Sequence, residues 1–510
     1  MPVRKKLFLT TLACLLPLLA GCTVGPDFRA PDAPKDTRYN NRELPAKTIS
    51  TPVTAGQAQS FDETRTVQTD WWTRFQSDKL NQLIAQALKD SPTIAAAQAT
   101  LQQARLTWQA QSGSTELPHV DLTAGAQRQL FNPAAFGQPG NSSLFNLYNA
   151  GVQVGYLFDL FGGNRRALEA LAAQTEYQQH ELDAARLTLA GNIATAAMTQ
   201  AALRAQLMAV SQLIAQQEEQ LNITRRREAI GAVGRNDVLA LESQLAQTRA
   251  QVPPLMNRLS QTNHLLAALA GQTPAGFEVP GFELDDFTLP ASVPVVVPST
   301  LLQSRPDIAA AQALLHAATA QYGNAISTAL PQINLSAGLS QESLTTGTLF
   351  NPASTIWSLA GSLTQPLFNG GLHSAINAVH ASLDAADANY RATVVQAFRN
   401  VADALRALDN DAKLVADQYT ANQAAQQSWE LTRQQYQLGS VPWLQVLVAG
   451  QQADQTRINL IQAQAQRLTD TAALYQAMGG ASAASAAQPP VGLAEQSQPV
   501  REAKSQEEHP

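Results

Sequence analysis

Cysteines, charged residues and aromatic residues are all scarce in this 510-residue chain. Its only cysteines are Cys14 and Cys22, while 15% of the residues are charged and 6% are aromatic. The net charge of −6 is not gathered into a block of like charge, so no nucleic-acid partner is predicted. No stretch after Cys22 has the roughly 18 consecutive apolar residues of a transmembrane helix, so a membrane crossing would need strands.

Motifs of enzymes and cofactor sites are also missing. There is no Gly-x-x-x-x-Gly-Lys-Ser/Thr loop for nucleotide phosphates, no His-Glu-x-x-His zinc motif and no cysteine cluster. His373 and His380 share one predicted helix face, which is too weak a pattern for a metal site. No nucleophile stands in a recognisable pattern with a base. We therefore expect neither an enzyme nor a cofactor, a covalent lipid aside.

The N-terminus has the pattern of a bacterial lipoprotein signal. A basic start precedes the apolar run Leu7–Ala20, which is too short to span a membrane as a helix. The run ends in Leu19-Ala20-Gly21-Cys22, which matches the lipobox, so residues 1–21 are predicted to be removed and Cys22 to be lipidated. Thr23, not Asp, follows, which by resemblance to sorted lipoproteins implies the outer membrane. Acyl chains contribute about 0.8 kcal/mol per buried methylene and would anchor the protein firmly.

Whole structural units occur twice along the chain, in the same order. The segment Asp90–Ala99 returns as Ser304–Ala313, and Leu160-Phe161-x-Gly163 returns as Leu367-Phe368-x-Gly370. Further matches place the two copies roughly 210 residues apart throughout, which indicates a pseudo-symmetric architecture rather than a solenoid of short repeats.

Linkers of distinct composition divide the chain. The predicted units are a signal peptide (1–21), an acylated extended segment (22–70), a first repeat (71–271), a Pro-rich linker (272–300), a second repeat (301–480) and a disordered tail (481–510).

Each repeat contains one very long predicted helix. Leu372–Leu438 has no Gly and no Pro, and its apolar positions alternate spacings of four and three, as in a coiled-coil seam with stutters. Its counterpart runs from about Asn164 to Ile230. At 1.5 Å per residue each helix is roughly 100 Å long. Shorter helices over 92–114 and 236–271, and over 306–328 and 443–478, could lie end to end beside them, with Pro253-Pro254 breaking one.

Each repeat also contains two short strands with one apolar face. The ranges are about 118–131 and 147–161 in the first repeat, and about 331–341 and 354–368 in the second. Period-two alternation of this length suits a lipid-facing barrel wall, although a soluble half-buried sheet gives the same pattern. Aromatic residues near the strand ends could form interfacial girdles: Phe131, Phe145, Tyr148, Phe161, Phe350, Trp357 and Phe368. Four strands cannot close a barrel, so several protomers are required, and three would supply twelve strands.

This plan resembles the TolC-like outer membrane factors, most closely the NodT-type lipoprotein branch of resistance-nodulation-division (RND) efflux systems. The resemblance covers about residues 22–480 and includes Cys22–Phe28, Ile230-Gly231-Ala232 and Tyr436–Ser440. It implies a mainly α protomer with a transmembrane β-barrel, assembled as a homotrimer with a long periplasmic α-barrel. It also implies a periplasmic adaptor protein, an inner-membrane RND-type pump and outer-membrane lipid as partners.

In that family the turn after each long helix forms a periplasmic tip that polar contacts hold closed. Asp237 and Tyr436 fall at such positions, and Arg235 or the run Arg225–Arg227 could contribute, although a basic run on a helix is usually solvated. Asp237 could form an acidic ring in the trimer, or cap a helix that begins at Val238. Tyr436 could gate the tip or only pack.

The resemblance places adaptor docking around the tip turns, at Gly231, Gly439 and Ser440. The two glycines would in any case permit a tight turn. Two departures leave the closed state open. Gln445 stands at the repeat position of Asp237, and Val441 stands where some relatives have a locking Arg.

The sequence thus predicts a passive outer-membrane exit duct of a tripartite efflux system. A duct for type I protein secretion is the alternative within transport. A lipid-anchored periplasmic coiled-coil scaffold without a pore is the alternative from another class. The transported solute, the pump and the adaptor are not specified by the sequence.

Overall fold

A computed structural model describes residues 23–34, 38–41, 43–62, 67–137 and 139–480. The predicted signal segment 1–21, the predicted lipidation site Cys22 and the predicted tail 481–510 lie outside these residues. The helices are, in chain order, α1 (Asp78–Asp90), α2 (Pro92–Glu116), α3 (Gly163–Ala229), α4 (Arg235–Arg249), α5 (Val252–Leu269), α6 (Pro298–Ser304), α7 (Pro306–Ser327), α8 (Leu372–Gln437) and α9 (Trp443–Met478). The strands are β1 (Ser60–Asp62), β2 (His119–Phe131), β3 (Ser143–Phe158), β4 (Ser292–Pro294), β5 (Gln332–Ser343) and β6 (Thr355–Thr364).

The two long helices confirm the sequence prediction within one residue at each end. Helix α3 has 67 residues and α8 has 66, which makes each about 100 Å long. The predicted seam of α8 is buried over its central part, at Tyr390, Val394, Ala397, Val401, Leu405, Leu408, Ala412 and Val415. The uninterrupted coiled-coil pattern is therefore what fixes the length of the rod.

The shorter helices line the long ones end to end. Helices α2, α4 and α5 contact α3, while α9 contacts α8 and α7 lies between α3 and α8. The predicted break at Pro253-Pro254 is confirmed, because α4 ends at Arg249 and α5 begins anew at Val252. Among the described residues, no helix is both long enough and apolar enough to span a membrane.

A four-stranded antiparallel sheet lies at one end of the long helices. Its strand order is β2-β3-β5-β6, so β2 and β6 form its edges within one protomer. Strand β3 begins earlier than the predicted 147–161, because its pairing with β2 continues to Phe131 opposite Ser143, and it ends at Phe158. Three protomers would contribute twelve strands.

The register separates an apolar from a polar face across all four strands. Opposite residues share a face, so Val152 lies between Leu122 and Leu339, and Leu359 follows on β6 beside Ala337. In one protomer Leu122 is 83% exposed and Leu359 is 79% exposed. An exposed apolar surface of this kind indicates that another molecule covers it.

A small second layer packs against the helices. Strand β1 pairs in parallel with β4, and we call the segment 43–62 together with β4 the belt. A short 3₁₀-helix, Trp71–Phe75, follows, with the Trp71 ring stacked on Tyr475 at a centroid distance of 5.7 Å. The segment predicted as extended and the predicted Pro-rich linker therefore meet beside the main apolar core.

Candidate functional site: the helical tips, the strap and the belt arginine

The two long helices end in the same turn. Gly231 and Gly439 have φ of +74° and +73°. In each turn the glycine N–H and the next N–H bond back to carbonyls of the last helical turn: Gly231 to Glu228 and Gly439 to Tyr436, at 2.8 and 2.9 Å. A residue in this left-handed conformation closes a helix with little strain only if it is glycine. The structural role of both glycines is therefore clear, while their role in docking stays a prediction.

Apolar side chains stand out at these turns. Ile230 is 79% exposed and Leu438 is 82% exposed, and each directly precedes its glycine. Ser440 closes the second turn by donating its N–H to the Gln435 carbonyl at 2.9 Å. The tip thus presents one uncovered apolar residue from each repeat.

Asp237 caps a helix, but not at the predicted place. Helix α4 begins at Arg235 rather than Val238, so Asp237 lies inside its first turn. Its Oδ2 accepts a hydrogen bond from the Gly234 N–H at 3.1 Å. This bond satisfies one of the N–H groups left free at a helix start, and the negative charge suits the dipole there. An exposed carboxylate in this position is also free to take part in a ring, and one protomer does not test that part of the prediction.

Tyr436 joins the two repeats at the tip. The Arg227 guanidinium donates to its hydroxyl and lies 5.6 Å from the ring centroid. The Trp443 ring contacts the Tyr436 ring edge-on, with the two ring centroids 4.9 Å apart. Because Arg227 ends α3, Tyr436 ends α8 and Trp443 begins α9, this cluster fastens one helical hairpin to the other. We call Arg227, Tyr436 and Trp443 the tip clasp.

The basic run beside the tip is more than a solvated surface. Arg225 donates to Glu242 on α4 at 2.8 Å. Arg235 lies 3.5 Å from Glu228, across the turn between α3 and α4. These pairs and the clasp hold α3, α4 and α8 together at the tip, although exposed ion pairs contribute little each.

The first described residues form a strap that is fixed at the junction of sheet and helices. We call residues 23–34 the strap. The Val24 N–H donates to the Phe161 carbonyl at 3.0 Å, just after β3. Arg166, with its side chain only 4% exposed, donates to the Val24 carbonyl at 3.1 Å and to Asp27 at 2.6 Å. This arrangement holds Val24, two residues after Cys22, close to the end of strand β3.

A second contact fixes the strap one residue later. The Phe28 ring stacks on His316 at 4.4 Å, and His316 Nε2 lies 2.9 Å from Glu169. Glu169 in turn accepts from Arg166 at 2.7 Å. The strap is therefore bound to both repeats, through α3 and α7.

Sequence reasoning missed a buried arginine in α9. Arg467 is fully buried, and its guanidinium donates to Ala55 O and Thr48 Oγ1 at 3.0 Å and to Gln57 O at 2.7 Å. Burial lowers the pKa of Arg467 to about 10, against the attraction of nearby Asp411. It thus holds the belt to the helices.

Two carboxyl groups face each other beside this arginine. Burial, and then a hydrogen bond with Asp470, raises the pKa of Asp411 to about 7. Asp411 lies on α8 and Asp470 on α9, and the raised pKa of Asp411 favours its neutral form, which reduces the repulsion between the two carboxyl groups where these helices pack. Over the described part of the chain, no group of three or more His, Cys, Asp or Glu side chains could hold a metal ion.

Comparisons with known proteins agree with this geometry. The family model described as outer membrane efflux protein matches residues 83–272 and 297–480. The antibiotic efflux pump outer membrane protein ArpC of Pseudomonas putida is 29% identical over 475 residues, covering 92% of this chain and 95% of its own. The cation efflux system protein CusC of Escherichia coli K12 is 26% identical over 489 residues, covering 92% and 98%. The solved outer-membrane channel OprN superposes with a TM-score of 0.80 at 26% identity, covering 90% of this chain and 99% of its own.

Proposed function

Because this chain belongs to the outer membrane efflux protein family, we propose that its tip clasp closes the periplasmic end of an exit duct for small solutes. The chain is the outer-membrane component of an efflux system, with a TolC-like fold and a long periplasmic helical extension. The observation that carries the proposal is the contact of Tyr436 with Arg227, which joins the ends of α3 and α8. A tip fastened in this way must release these contacts before solute can enter.

Transport through this duct is passive in our proposal. The family is one of channels, and the chain supplies a path rather than a chemical step. Energy then comes from an inner-membrane RND-type pump, and a periplasmic adaptor protein joins pump to duct. The exposed Ile230 and Leu438, beside Gly231, Gly439 and Ser440, support the tip as the adaptor surface. A helix that presents apolar side chains could cover them.

The assembly that we propose is a homotrimer. Strands β2 and β6 leave unpaired edges in one protomer, and open edges are not tolerated within lipid. Pairing β6 of each protomer with β2 of the next removes every edge. The scaffold alternative leaves the apolar face of the sheet without a cover and is therefore disfavoured, whereas type I secretion has no observation in its favour.

Removing the Tyr436 hydroxyl is expected to loosen the tip. Tyr436→Phe keeps the ring against Trp443 but ends the hydrogen bond from Arg227, which is worth about 1.5 kcal/mol for a charged donor. The ratio of open to closed time in single-channel recordings should rise about tenfold.

Tyr419→Phe is the matched control, because the Tyr419 hydroxyl bonds only one turn along α8, to Gln423, away from the tip. It should leave the open time at the wild-type value. Equal open times in Tyr436→Phe and wild type would show that the clasp does not hold the duct closed.

The variant Asp237→Asn distinguishes an acidic ring at Asp237 from a helix cap alone. The amide oxygen still accepts from the Gly234 N–H, so a change in cation preference without a change in stability indicates a ring.

Lipidation of Cys22 is proposed on the N-terminal pattern, and the fixed strap supports it. Arg166 and Phe161 hold Val24 where the sheet meets the helices, so an acyl chain two residues earlier starts beside the membrane. Cys22→Ser is expected to abolish incorporation of labelled palmitate, whereas Cys14→Ser should leave it unchanged. Palmitate label that persists in Cys22→Ser would place the lipid elsewhere, and mass spectrometry of the N-terminal peptide would show where.

A further inference from the structure

The polar face of the four-stranded sheet carries charge of one sign. Over β2, β3, β5 and β6 this face contains Asp121 and Glu342 and no Lys or Arg. Its other polar members are neutral amides, hydroxyls and one histidine: His119, Thr123, Gln127, Gln129, Ser143, Asn149, Gln153, Gln332, Asn334, Ser336, Ser340, Ser358, Ser362 and Thr364. The basic side chain of these strands, Arg128, lies in register with the apolar face, opposite Asn146.

The two carboxylates lie at different depths. Asp121 is opposite Gln153 on β3, whereas Glu342 is opposite Asn149. Four residues along β3 separate these levels, or about 13 Å at 3.3 Å per residue. A closed trimer therefore has two levels of negative charge, one nearer the helices and one nearer the outer loops.

Within the part of the chain that the structure describes, little neutralises these charges. The ionic neighbour of Asp121 is His119, whose Nε2 lies 3.9 Å away and which bears charge only when protonated. Both side chains of that pair are more than 60% exposed, so they face the space beside the sheet. A channel wall of low dielectric constant concentrates the field of such charges in the lumen.

We propose that Asp121 and Glu342 make the barrel lumen a charge filter, separate from the tip, which favours cationic and neutral solutes over anionic ones. The proposal rests on the exit-duct function and names the class of solute that leaves most easily. Rings of Asp or Glu select cations in other pores by the same physics. Because the Debye length is about 8 Å at 0.15 M ionic strength and about 30 Å at 0.01 M, the preference must grow as salt is removed.

Thiol accessibility tests this without requiring an open tip. Apart from Cys14 and Cys22 the sequence has no cysteine, so Ser340→Cys places a single new thiol on the polar face. Ser340 is opposite Gly151, between the levels of the two carboxylates. In whole cells, its rate of modification is measured with a cationic and with an anionic methanethiosulfonate reagent added outside.

The ratio of the cationic to the anionic rate is expected to exceed the ratio for a free thiol by about tenfold at 0.01 M salt and to fall toward it at 1 M. Adding Asp121→Asn and Glu342→Gln to Ser340→Cys should remove most of that excess. Adding Asp237→Asn at the tip instead should leave it intact. If this ratio changes neither with the salt concentration nor when the two carboxylates are replaced, the charge filter is wrong, while the exit-duct function still stands. If neither reagent reaches Ser340→Cys, the polar face does not line an open lumen, and the barrel itself fails.

Discussion

Replacing Arg467 with methionine is expected to detach the belt from α9 and to lower the free energy of unfolding by about 3–5 kcal/mol. The guanidinium is fully buried and donates three hydrogen bonds to Thr48, Ala55 and Gln57. Methionine fills much of the same volume but removes the Arg467 donor from the Ala55 and Gln57 carbonyls, while Thr48 Oγ1 keeps the hydrogen bond from the Gln59 N–H. Buried polar atoms without partners are among the few causes of so large a loss.

The measurement is hydrogen exchange of the belt amides together with thermal unfolding of the detergent-solubilised protein. Arg457→Met on the same helix is the control, since Arg457 is exposed and its loss should cost less than about 0.5 kcal/mol. Arg467→Lys should recover part of the stability, because one ammonium group can serve one or two of the acceptors. Belt amides that stay protected in Arg467→Met would mean that β1 and β4, not the arginine, hold the belt.

The rod and the sheet could be predicted because their signals are local and long. An unbroken run of helix formers with seam positions every three or four residues leaves the chain between Leu372 and Leu438 no alternative to a helix. The strands could be predicted from their period-two alternation. Because the repeats are duplicated, each element predicted in one repeat could be compared with its counterpart in the other. Gly231 and Gly439 were predictable for the same reason, since a glycine after a long helix marks its end.

The arginines that tie the fold together could not be predicted. Arg166 and Arg467, in helices, and Arg305, between α6 and α7, look like solvated charges in the sequence, yet all three are buried. Each has at least one partner that is far away in sequence. Arg305 donates to Ala477 O at 2.5 Å, at the end of α9, and Arg467 reaches Thr48, more than 400 residues before it. No local pattern marks such contacts, because they depend on how the two repeats and the N-terminal segment meet.

The tip lies between these cases. The turn and its residues were predictable, but the identity of the partner of Tyr436 was not. Arg227 reaches Tyr436 because the ends of α3 and α8 lie side by side, and pseudo-symmetry alone does not specify which side chains meet there. The helix start at Arg235 was missed since Gly234, with no side chain, takes the cap position, whereas Asp237 supplies the bond from inside the helix.

Lowering the pH from about 8.5 to about 5.5 is expected to make the protein more stable at the belt. The native pKa of Asp411 is about 7, raised first by burial and then by the contact with Asp470, against an ordinary value of 3.8. Between those values the folded chain holds a proton that the unfolded chain has released. The stability from this group is therefore complete below pH 3.8 and is lost as the pH rises through about 7.

The expected gain over that range is about 2 kcal/mol, because about 1.5 pH units of it lie below the native pKa and each is worth about 1.4 kcal/mol. Asp454, whose burial raises its pKa to about 6, contributes in the same direction, so Asp411→Asn should reduce the slope of thermal midpoint against pH rather than abolish it. Asp409→Asn is the matched control: Asp409 is buried two residues away on α8, but it pairs with Lys413 at 2.7 Å. It should lower the midpoint at every pH and leave the slope unchanged. A wild-type slope that Asp411→Asn does not alter would mean that Asp411 takes up no proton over this pH range, and that the two helices are held at the belt by Arg467 and apolar packing alone.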